Sequence, residues 1–511
     1  MNSLRGIRSA TIRCGVFVAL AILFLERGAW AHVGSPDVFY EGDAGPYHLF
    51  VTVAVPQVIP GVAQIDIRTR DDDVKSISTS VARLSGAGSQ YAPVPDAAKQ
   101  SRLDGHQFTS SLWLMEFGSL RVIVKVEGAR GPAELSVPVP SFAQRTLAMP
   151  RWLGALLLAL AIGLAIGAVS IVGAAARDSL LTPGAEVGPE ARRRGRRAMA
   201  FTAVIVGLIF WGAFEWWSVD ANHYAAIARF FKPPKLEATI VGNNQLEVRP
   251  SARDTDWNRA VGIKELVPDH GHLMHLFLVR TPNLDRIWHL HPELTDGKFV
   301  EALPSLDAGH YQVFADVVSK NGFPWTLVGS IDLPRITGNK MNPDDAGGSA
   351  EPISTASDST TDVLADGTRV TWNRGGELRA NSPTIFQFSV QDPDGKPASD
   401  LGLYMGMLAH AEIVKDDLSV FAHVHPSGSV PMASLMMVNA NGAPSLSEQP
   451  PMQMPMKDMP TNMPGMDMSA AQVSPEFSIP YGFPKPGRYR IFLQFKKAEQ
   501  IETASFTADV K

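Results

Sequence analysis

The chain has 511 residues, 46 basic against 51 acidic side chains, and a single cysteine. This length exceeds what one hydrophobic core usually holds, so we expect several domains. The nearly balanced charge gives no indication of nucleic-acid binding, and one cysteine excludes a disulfide framework within the chain. We find no nucleophile triad, phosphate-binding loop or paired-acid motif, and therefore predict a protein that is not an enzyme.

Residues 1–31 have the pattern of a secretory signal peptide: a positive start, an apolar core and the small-x-small site Ala29-Trp30-Ala31. Cleavage there leaves His32 as the first residue. A free amine and the imidazole of the same histidine can chelate copper, and His48 and His106 are candidates to complete such a site. CopC-like copper carriers and lytic polysaccharide monooxygenases use this arrangement. The simpler alternative is coincidence at a predicted cleavage point.

Residues 32–143 predict a β-sandwich, because segments such as 47–55 and 120–126 alternate apolar and polar residues between Gly and Pro breaks. Two apolar runs at 152–174 and 198–219 then follow, each long enough to span a bilayer. The first is uncharged, and the second carries one charged residue, Glu215, near its end. Gly163 and Gly167 in the first run form a small-xxx-small pair that permits close approach of another helix.

The segment between the two runs, residues 175–197, is rich in arginine, with five arginines between Arg192 and Arg197. The positive-inside rule places such a loop in the cytoplasm. We therefore predict a bacterial inner-membrane protein with its N-terminal β domain, and everything after residue 220, on the periplasmic side.

Residues 236–337 and 363–511 predict two further sandwiches, joined by a flexible linker at 338–362 that is rich in Gly, Ser, Thr and Asp. Each contains a Gly-x-Tyr before a strand, at Tyr311 and Tyr489, which resembles the tyrosine corner of immunoglobulin-like sandwiches. The predicted fold is mainly β, with three immunoglobulin-like β-sandwich domains and two transmembrane helices.

A histidine-rich block occurs in both of these domains. Eight of the thirteen histidines lie in the two blocks, and the first halves of the blocks match at an offset of 135 residues. Each block ends in His-x-His-Pro and predicts a hairpin, with turn residues near Pro282 and Asp416. Residues two apart share a strand face, so a register that sets His275 opposite His291 gathers the histidines of the first block on one face.

Histidine and methionine replace one another between the blocks, and both are copper ligands. We expect one metal site in each domain, the earlier leaning to Cu(II) and the later to Cu(I), with affinity at the earlier site falling as pH drops through about 6.5. The alternative is a set of exposed or hydrogen-bonded core histidines. The candidate ligands are His270, His272, His275, His289 and His291 in the first block and Met405, Met407, His410, His423 and His425 in the second.

A methionine-rich segment at 452–468 lies inside the last domain. Its prolines preclude a regular helix, so its side chains should be exposed, and thioether sulfur is a good ligand for Cu(I). The alternative is an insertion without function. The candidate ligands are Met452, Met454, Met456, Met459, Met463, Met466 and Met468.

The His-x-His-Pro hairpin followed by the Gly-x-Tyr strand resembles the YtkA-like and FixH-like periplasmic β-sandwich modules, which are loosely akin to CopC-like copper proteins. The methionine-rich segment is similar to those of bacterial copper-resistance proteins. The resemblance covers the two later domains best, and it implies copper handling outside the cytoplasm without catalysis.

Three functions are therefore open. The first is a membrane-anchored copper-binding protein that buffers copper or passes it to a copper transporter or another periplasmic carrier. The second is a copper monooxygenase that uses His32. The third is a structural protein whose sandwiches bind a membrane partner, with the histidines incidental.

Reporter fusions test the predicted topology. A reporter fused after Arg194 is expected to stay in the cytoplasm, and one fused after Lys340 is expected to be exported, because the arginine-rich loop lies between two apolar spans. Export of the first fusion would contradict the topology.

Overall fold

The computed structural model describes residues 37–144, 149–182, 184–228, 233–253, 261–338, 340–442, 462–463, 466–467 and 473–511. The protein is mainly β, with sheets packed as sandwiches and two long apolar helices. The predicted signal segment and His32 lie outside the described residues.

Residues 37–144 form the N-terminal β region. Along the strand Gly61–Thr69 buried and exposed side chains alternate, which is the period expected of a sheet with one buried face. One sheet has the order β1-β2-β3-β7-β6 and the other β5-β4-β8-β9, with an apolar core between them. The strands are β1 (Val38–Ala44), β2 (Tyr47–Ala54), β3 (Gly61–Thr69), β4 (Val74–Arg83), β5 (Asp96–Ala97), β6 (Lys99–Gln100), β7 (Gln107–Leu114), β8 (Gly118–Gly128) and β9 (Gly131–Ser141).

Two helices follow, α1 (Arg151–Asp178) and α2 (Pro189–Ala228), and both are long and apolar enough to cross a membrane. Both helices are longer than the predicted membrane spans at 152–174 and 198–219, which therefore ended too early or began too late. The arginines of 192–197 do not lie in a loop but in the first turns of α2, which begins at Pro189. Arginine is a good helix former and proline is favoured at a first helical position.

The two helices meet near the arginines. A Cβ added to Gly173 would collide with the Met199 side chain, and one added to Gly195 would lie 3.0 Å from the Gly173 carbonyl oxygen. Arg194 donates to the Ala176 carbonyl at 2.7 Å, which satisfies one of the open acceptors at the end of α1. Gly163 and Gly167, the predicted contact, face open space instead.

The middle β region covers residues 233–338, and strand β19 of the connection that follows completes its larger sheet. A short 3-10 helix, Ile263–Glu265, precedes the histidine-rich block. One sheet has the order β10-β11-β16-β15, and the other has β12-β17-β13-β14-β19 with β18 beside β17. The strands are β10 (Leu236–Val241), β11 (Gln245–Pro250), β12 (Leu266–Val267), β13 (His275–Thr281), β14 (Arg286–Leu290), β15 (Glu293–Thr295), β16 (Lys298–Ala302), β17 (Gly309–Ser319), β18 (Pro324–Leu333) and β19 (Ala346–Ser349).

The C-terminal β region covers residues 361–511 and includes the helix α3 (Met432–Gly442). Its sheets have the orders β20-β21-β22-β28 and β23-β29-β24-β25, with β30 beside β29 and β26 paired to β27 separately. The strands are β20 (Thr361–Val363), β21 (Arg369–Asn373), β22 (Thr384–Gln391), β23 (Leu401–Gly402), β24 (His410–Lys415), β25 (Phe421–Val424), β26 (Asn462–Met463), β27 (Met466–Asp467), β28 (Glu476–Tyr481), β29 (Gly487–Lys497) and β30 (Gln500–Val510).

The repeat predicted for the two later regions is confirmed. The orders β12-β17-β13-β14 and β23-β29-β24-β25 correspond strand by strand, and β18 and β30 extend them equivalently. His291 and His425 each follow the last strand of the equivalent hairpin. Both tyrosine corners are present, because the hydroxyls of Tyr311 and Tyr489 donate to the carbonyls four residues before them at 2.8 and 2.7 Å.

The connection at 338–362 is not the flexible linker that its composition predicts. Its strand β19 pairs with β14, with Trp288 opposite Gly347, and the Ile353 amide donates to the Asn283 carbonyl at 2.8 Å. Ile353 is buried. Gly347 leaves room for the indole ring of Trp288, which a Cβ there would approach to 3.3 Å, and a Cβ on Gly348 would collide with the Thr503 side chain.

The middle and C-terminal β regions pack on one another through an aromatic seam. The rings of Phe314 and Phe421 stack with centroids 4.1 Å apart and planes 9° apart, and Phe277 lies 5.1 Å from Phe421. These residues share one apolar cluster with Phe492. Such pairs stabilise by area burial and by about 0.5–1.5 kcal/mol beyond it, so the two regions have a contact that does not depend on a ligand.

The N-terminal β region contacts the C-terminal one at Gly428. The Ser429 amide donates to the Phe39 carbonyl at 2.9 Å, and Tyr40 forms a β-bridge with Gly428. Gly428 has a φ of 112°, and a Cβ there would collide with the carbonyl oxygen of Phe39. Only glycine fits this approach of two backbones.

Replacing Gly428 by alanine is expected to destabilise the folded chain by about 1–3 kcal/mol more than Gly376→Ala, as overpacking usually does. Gly376 is the matched control, since its φ is 134° but a Cβ there meets nothing within 4 Å. Thermal unfolding of both variants in detergent measures the difference. Equal losses would show that the close approach to Phe39 carries no stability.

Candidate metal centre

Two equivalent tight turns deliver ligand-type residues to the interface between the middle and C-terminal β regions. In the first, the amides and carbonyls of Asp269 and His272 bond reciprocally at 2.8 and 2.9 Å, and Tyr404 and Met407 do the same in the second. The central residues have positive φ, 48° at His270 and 50° at Met405, each followed by glycine. This is the pattern of a type I′ turn.

The first strand of the predicted hairpin, β13, begins only at His275, so His270 and His272 lie before it in the turn. The turn lifts His270 out of the sheet and across the interface, where its Nδ1 donates to the Met405 carbonyl at 2.9 Å. A left-handed conformation at a residue other than glycine costs about 1–3 kcal/mol, and such strain clusters at functional sites.

The predicted hairpin register is confirmed. Leu276 pairs with Leu290 and Phe277 with His289, which sets His275 beside His291. In the second block Ala411 pairs with Val424, which sets His410 beside His425. Strand alternation then turns these histidines to the buried face of each hairpin.

His275, His289 and His291, here called the middle triad, converge on one point. Nδ1 of His275 lies 3.0 Å from Nε2 of His289 and 3.2 Å from Nε2 of His291. The three rings are buried, with exposed fractions of 2%, 0% and 6%. Their ligand atoms therefore face one another away from water.

The other nitrogen of each ring faces an oxygen acceptor. His275 Nε2 donates to the Asp269 carbonyl at 3.0 Å, His289 Nδ1 to the Gln494 side-chain oxygen at 3.0 Å, and His291 Nδ1 to an Asp345 carboxylate oxygen at 3.1 Å. Because a neutral imidazole has one N–H, each ring presents its lone pair to the other two. Three lone pairs that meet in this way repel one another unless a cation lies between them.

This arrangement fits a metal ion. With metal–nitrogen distances near 2.0–2.1 Å, tetrahedral ligands lie roughly 3.3 Å apart, close to the separations in the middle triad. Histidines that hold metals usually donate their second N–H to a carbonyl or carboxylate, which fixes the tautomer and orients the ring.

A second set, the crossing triad of His270, His410 and His425, takes ligands from both regions. Its ring centroids lie 4.9 to 5.2 Å apart. His270 Nε2 and both nitrogens of His410 and His425 are buried and form no hydrogen bond with any described residue. Buried polar atoms in native proteins nearly always have a partner, so such a group indicates a missing ligand.

The contacts across the interface are reciprocal. Asp316 lies opposite His275 in its sheet and Gln494 lies opposite His410, so the two residues occupy equivalent positions. Gln494 bonds His289 of the middle region, and Asp316 lies 3.6 Å from His423 of the C-terminal region. The two repeats therefore meet as subunits do around a two-fold axis.

The axial triad consists of His289, Glu412 and His423, whose ligand atoms also lie within 4.8 Å of one another. Glu412 is fully buried, 3.7 Å from His289 Nδ1, and burial raises the pKa of its carboxyl well above the usual value. Burial is also the main cause that depresses the pKa of six of the histidines: His270, His275, His289, His291, His410 and His425.

The candidate ligand sets do not divide into one per domain. The middle triad lies within the middle region, whereas the crossing and axial triads take residues from both regions. The expected preferences, Cu(II) for the earlier domain and Cu(I) for the later, stay predictions. Burial lowers the pKa values of the middle-triad histidines well below the usual 6.5, so we expect proton competition with a metal there to begin at a lower pH than the sequence alone predicts.

The remaining candidates have diverse positions. His272 bonds Asp344 at 3.2 Å and packs 4.1 Å from the His291 ring, outside the three triads. Met405 supplies its carbonyl to His270, and Met407 is buried. The methionine-rich segment lies outside the described residues except for two short strands, of which only the backbone of Met463 and Met466 is described.

Sequence reasoning missed the acceptors and the carboxylate. Asp316, Glu412 and Gln494 each interrupt an apolar strand, and Asp316 and Gln494 follow the glycines of their tyrosine corners at the same distance. A polar residue in an apolar strand is the signal that could have found them.

The N-terminal candidates His48 and His106 line one cavity, with Glu41 and Arg70. Both ring nitrogens of His48 face carboxylates, Glu41 at 3.0 Å and Asp43 at 2.7 Å, and the bond to Glu41 is the main cause that raises the His48 pKa. A histidine held in this way has no lone pair for a metal, which weighs against the copper site built on His32.

Comparison with known proteins found one matching family model and distantly similar solved structures. A family model described as a domain of unknown function (DUF8832) matches residues 361–511, and no curated protein matches the chain. Among solved structures, an engineered protein is 18% identical over 18% of this chain and 19% of its own, with a TM-score of 0.15.

Two other solved structures match over most of this chain. An ectodomain fragment of ICAM-5 is 7% identical, with 91% of this chain and 77% of that chain covered and a TM-score of 0.16. A mutant of Salmonella alpha-2-macroglobulin is 9% identical, with 95% and 24% covered and a TM-score of 0.19. TM-scores this low carry no argument about fold or function.

The free energy of unfolding of the metal-free chain is expected to fall as pH is lowered from about 7.5 to about 5.5. Below about pH 6.5 the six buried histidines bind protons in the unfolded chain but not in the folded chain. Each of them therefore lowers the free energy of unfolding by up to about 1.4 kcal/mol per pH unit. The carboxyl groups whose pKa burial raises oppose the trend and reduce the net slope, as does His48, whose pKa is raised by its bond to Glu41; these carboxyls include Glu412, Glu301, Asp37 and Asp345.

Denaturation of the chain in detergent at several pH values measures this slope. His291→Gln should reduce the slope, and replacement of the exposed His310 by glutamine is the matched control that should not. A slope that is the same in all three proteins would show that the buried rings titrate normally.

Proposed function

We propose that this chain is a membrane-anchored extracytoplasmic protein that binds copper between its middle and C-terminal β regions and buffers or transfers it. The observation that carries the proposal is the convergence of three imidazole lone pairs in the middle triad, each ring fixed by an acceptor on its other nitrogen. The unpaired nitrogens of the crossing triad provide a second imidazole set.

Ligand chemistry favours copper over the alternatives. Imidazole suits copper, zinc, iron and nickel alike, but methionine sulfur selects copper. Methionines stand at the positions equivalent to His270 and His272, and seven more lie in segment 452–468 of the same region. The methionine-rich segment is proposed to capture Cu(I) for the buried histidines. A likeness to YtkA-like and FixH-like modules, with three immunoglobulin-like sandwiches, belongs to the same proposal.

A route for exchange of the ion is present. A cavity of about 130 Å³ at the meeting point of the three β regions is lined by His275, His423 and His425 together with Asp269 and Asp316. The Asp316 side chain is 24% exposed and 3.6 Å from His423, so a carboxylate connects solvent with the buried rings. A copper transporter or a periplasmic carrier is the proposed source or acceptor.

The two apolar helices α1 and α2 support the proposed anchoring. Two spans would return the chain to the side from which it came, and this agrees with the contact between the N-terminal and C-terminal β regions through Tyr40 and Gly428. The arginines at the start of α2 favour a cytoplasmic connection, so the proposal assigns all three β regions to the periplasmic side of the inner membrane.

Titration of the full chain in detergent with Cu(I) and with Cu(II), each against a competing chelator, tests the proposal. The chain is expected to bind copper, and His291→Asn is expected to lower affinity at least tenfold, because it removes one of three ligands. His310→Asn is the matched control on an exposed ring and should bind as the unchanged chain does. Absence of copper binding, or equal binding by both variants, would contradict the proposal.

A further inference from the structure

Glu412 breaks the two-fold relation between the repeats. It lies two residues after His410, as Phe277 lies two residues after His275, and the two strands are equivalent. Phe277 packs its ring 4.4 Å from His289 and 5.0 Å from His423. Beside these rings the C-terminal region therefore presents a carboxyl group at the position where the middle region presents an apolar ring.

The carboxyl group of Glu412 is buried without a hydrogen bond. Its exposed fraction is 0%, and neither oxygen has a hydrogen-bond partner among the residues that the structure describes. Moving a carboxylate away from water without a partner costs several kcal/mol, so buried acids are normally paired or bind metals. A packed phenylalanine at the equivalent position shows that the fold does not require an acid here.

Two imidazole nitrogens face this carboxyl group. His289 Nδ1 lies 3.7 Å from a Glu412 oxygen, and His423 Nε2 is buried with no hydrogen-bond partner in the described part of the chain. His423 is oriented by Asp316 at 3.6 Å from its other nitrogen. Two nitrogens and a carboxylate oxygen form a harder ligand set than three imidazoles, and such a set suits a divalent ion.

His289 belongs to both this set and the middle triad, and its two nitrogens point into different sites. Nε2 faces His275 at 3.0 Å, and Nδ1 faces Glu412. We propose that His289 bridges two metal ions, one in the middle triad and one Cu(II) held by His289, Glu412 and His423. The inference rests on the proposed copper binding and adds a carboxylate-containing second site to it.

The bridge requires two protons to leave for solvent, one from His289 Nδ1 and one from Glu412, because burial raises the pKa of that carboxyl well above its usual value and the ion binds its carboxylate form. With only the middle triad occupied, the Nδ1–H of His289 donates to Gln494 at 3.0 Å, and the Tyr404 hydroxyl oxygen lies 3.3 Å away as a second acceptor. Binding of the second ion replaces this N–H by a nitrogen–metal bond and releases the proton to solvent. The ring then carries a negative charge shared by two cations, and no electron is transferred.

Electron paramagnetic resonance of the full chain loaded with Cu(II) in detergent tests the bridge. Two Cu(II) ions joined through one imidazolate couple their spins, so the protein should hold more copper than its low-temperature signal reports. Glu412→Gln is expected to remove one equivalent of bound copper and to raise the detectable Cu(II), because the remaining ion is no longer coupled. A purely structural role for Glu412 cannot produce these opposite changes.

Glu502→Gln is the matched control. Glu502 lies on β30 opposite Phe495, in the same sheet but not in the triads. It should change neither bound copper nor signal. If the unchanged chain binds copper and all of it is detectable, or if Glu412→Gln changes nothing, the bridge is overturned while the proposed function stands. If the unchanged chain binds no copper, the proposed function itself fails.

Discussion

Neutral imidazole buried at an interface is the constraint on which the arrangement of the two later regions depends. A buried ring must give its single N–H to an acceptor, and the choice of acceptor decides which nitrogen keeps a lone pair. In the middle triad the acceptors come from a turn carbonyl, from the connection between the regions and from strand β29 of the other region. The lone pairs converge only when all three of these segments are in place. The site is therefore a property of the docked pair of regions.

The duplicated fold explains how such a site is assembled. Each repeat has the same hairpin, the same tyrosine-corner strand and a type I′ turn before the hairpin. Packing of the repeats face to face gives every feature of one a counterpart in the other. Departures from this relation then have chemical consequences: Met405 replaces His270, Gln494 replaces Asp316, and Glu412 replaces Phe277. Replacement of an apolar ring by an acid removes stabilising packing, so it requires a compensating partner.

The sequence predicted the parts of this centre that depend on local periodicity. Strand alternation and turn residues were enough for both hairpins, for the pairing of His275 with His291 and for the two apolar helices. These local patterns do not specify how one region docks on the other. The sequence therefore did not predict that His270 crosses the interface. The connection at 338–362 was misjudged for a related reason. Glycine and serine weaken a chain's own preferences, but a neighbouring strand edge can still order it, as β14 does here.

The proposed metal binding is coupled to docking of the regions, because the crossing triad takes its candidate ligands from both. An ion held by His270 from one side and by His410 and His425 from the other binds only the docked state, so it stabilises docking by the free energy with which it prefers that state. The aromatic seam at Phe314 and Phe421 sets the balance. Because the seam holds the regions together without the ion, little ordering entropy opposes binding, and the rings are already oriented. With a weaker seam, fewer molecules would be docked before the ion binds, and the apparent metal affinity would fall in proportion to the docked fraction. The apolar contact is thus as much a determinant of metal affinity as the ligands are.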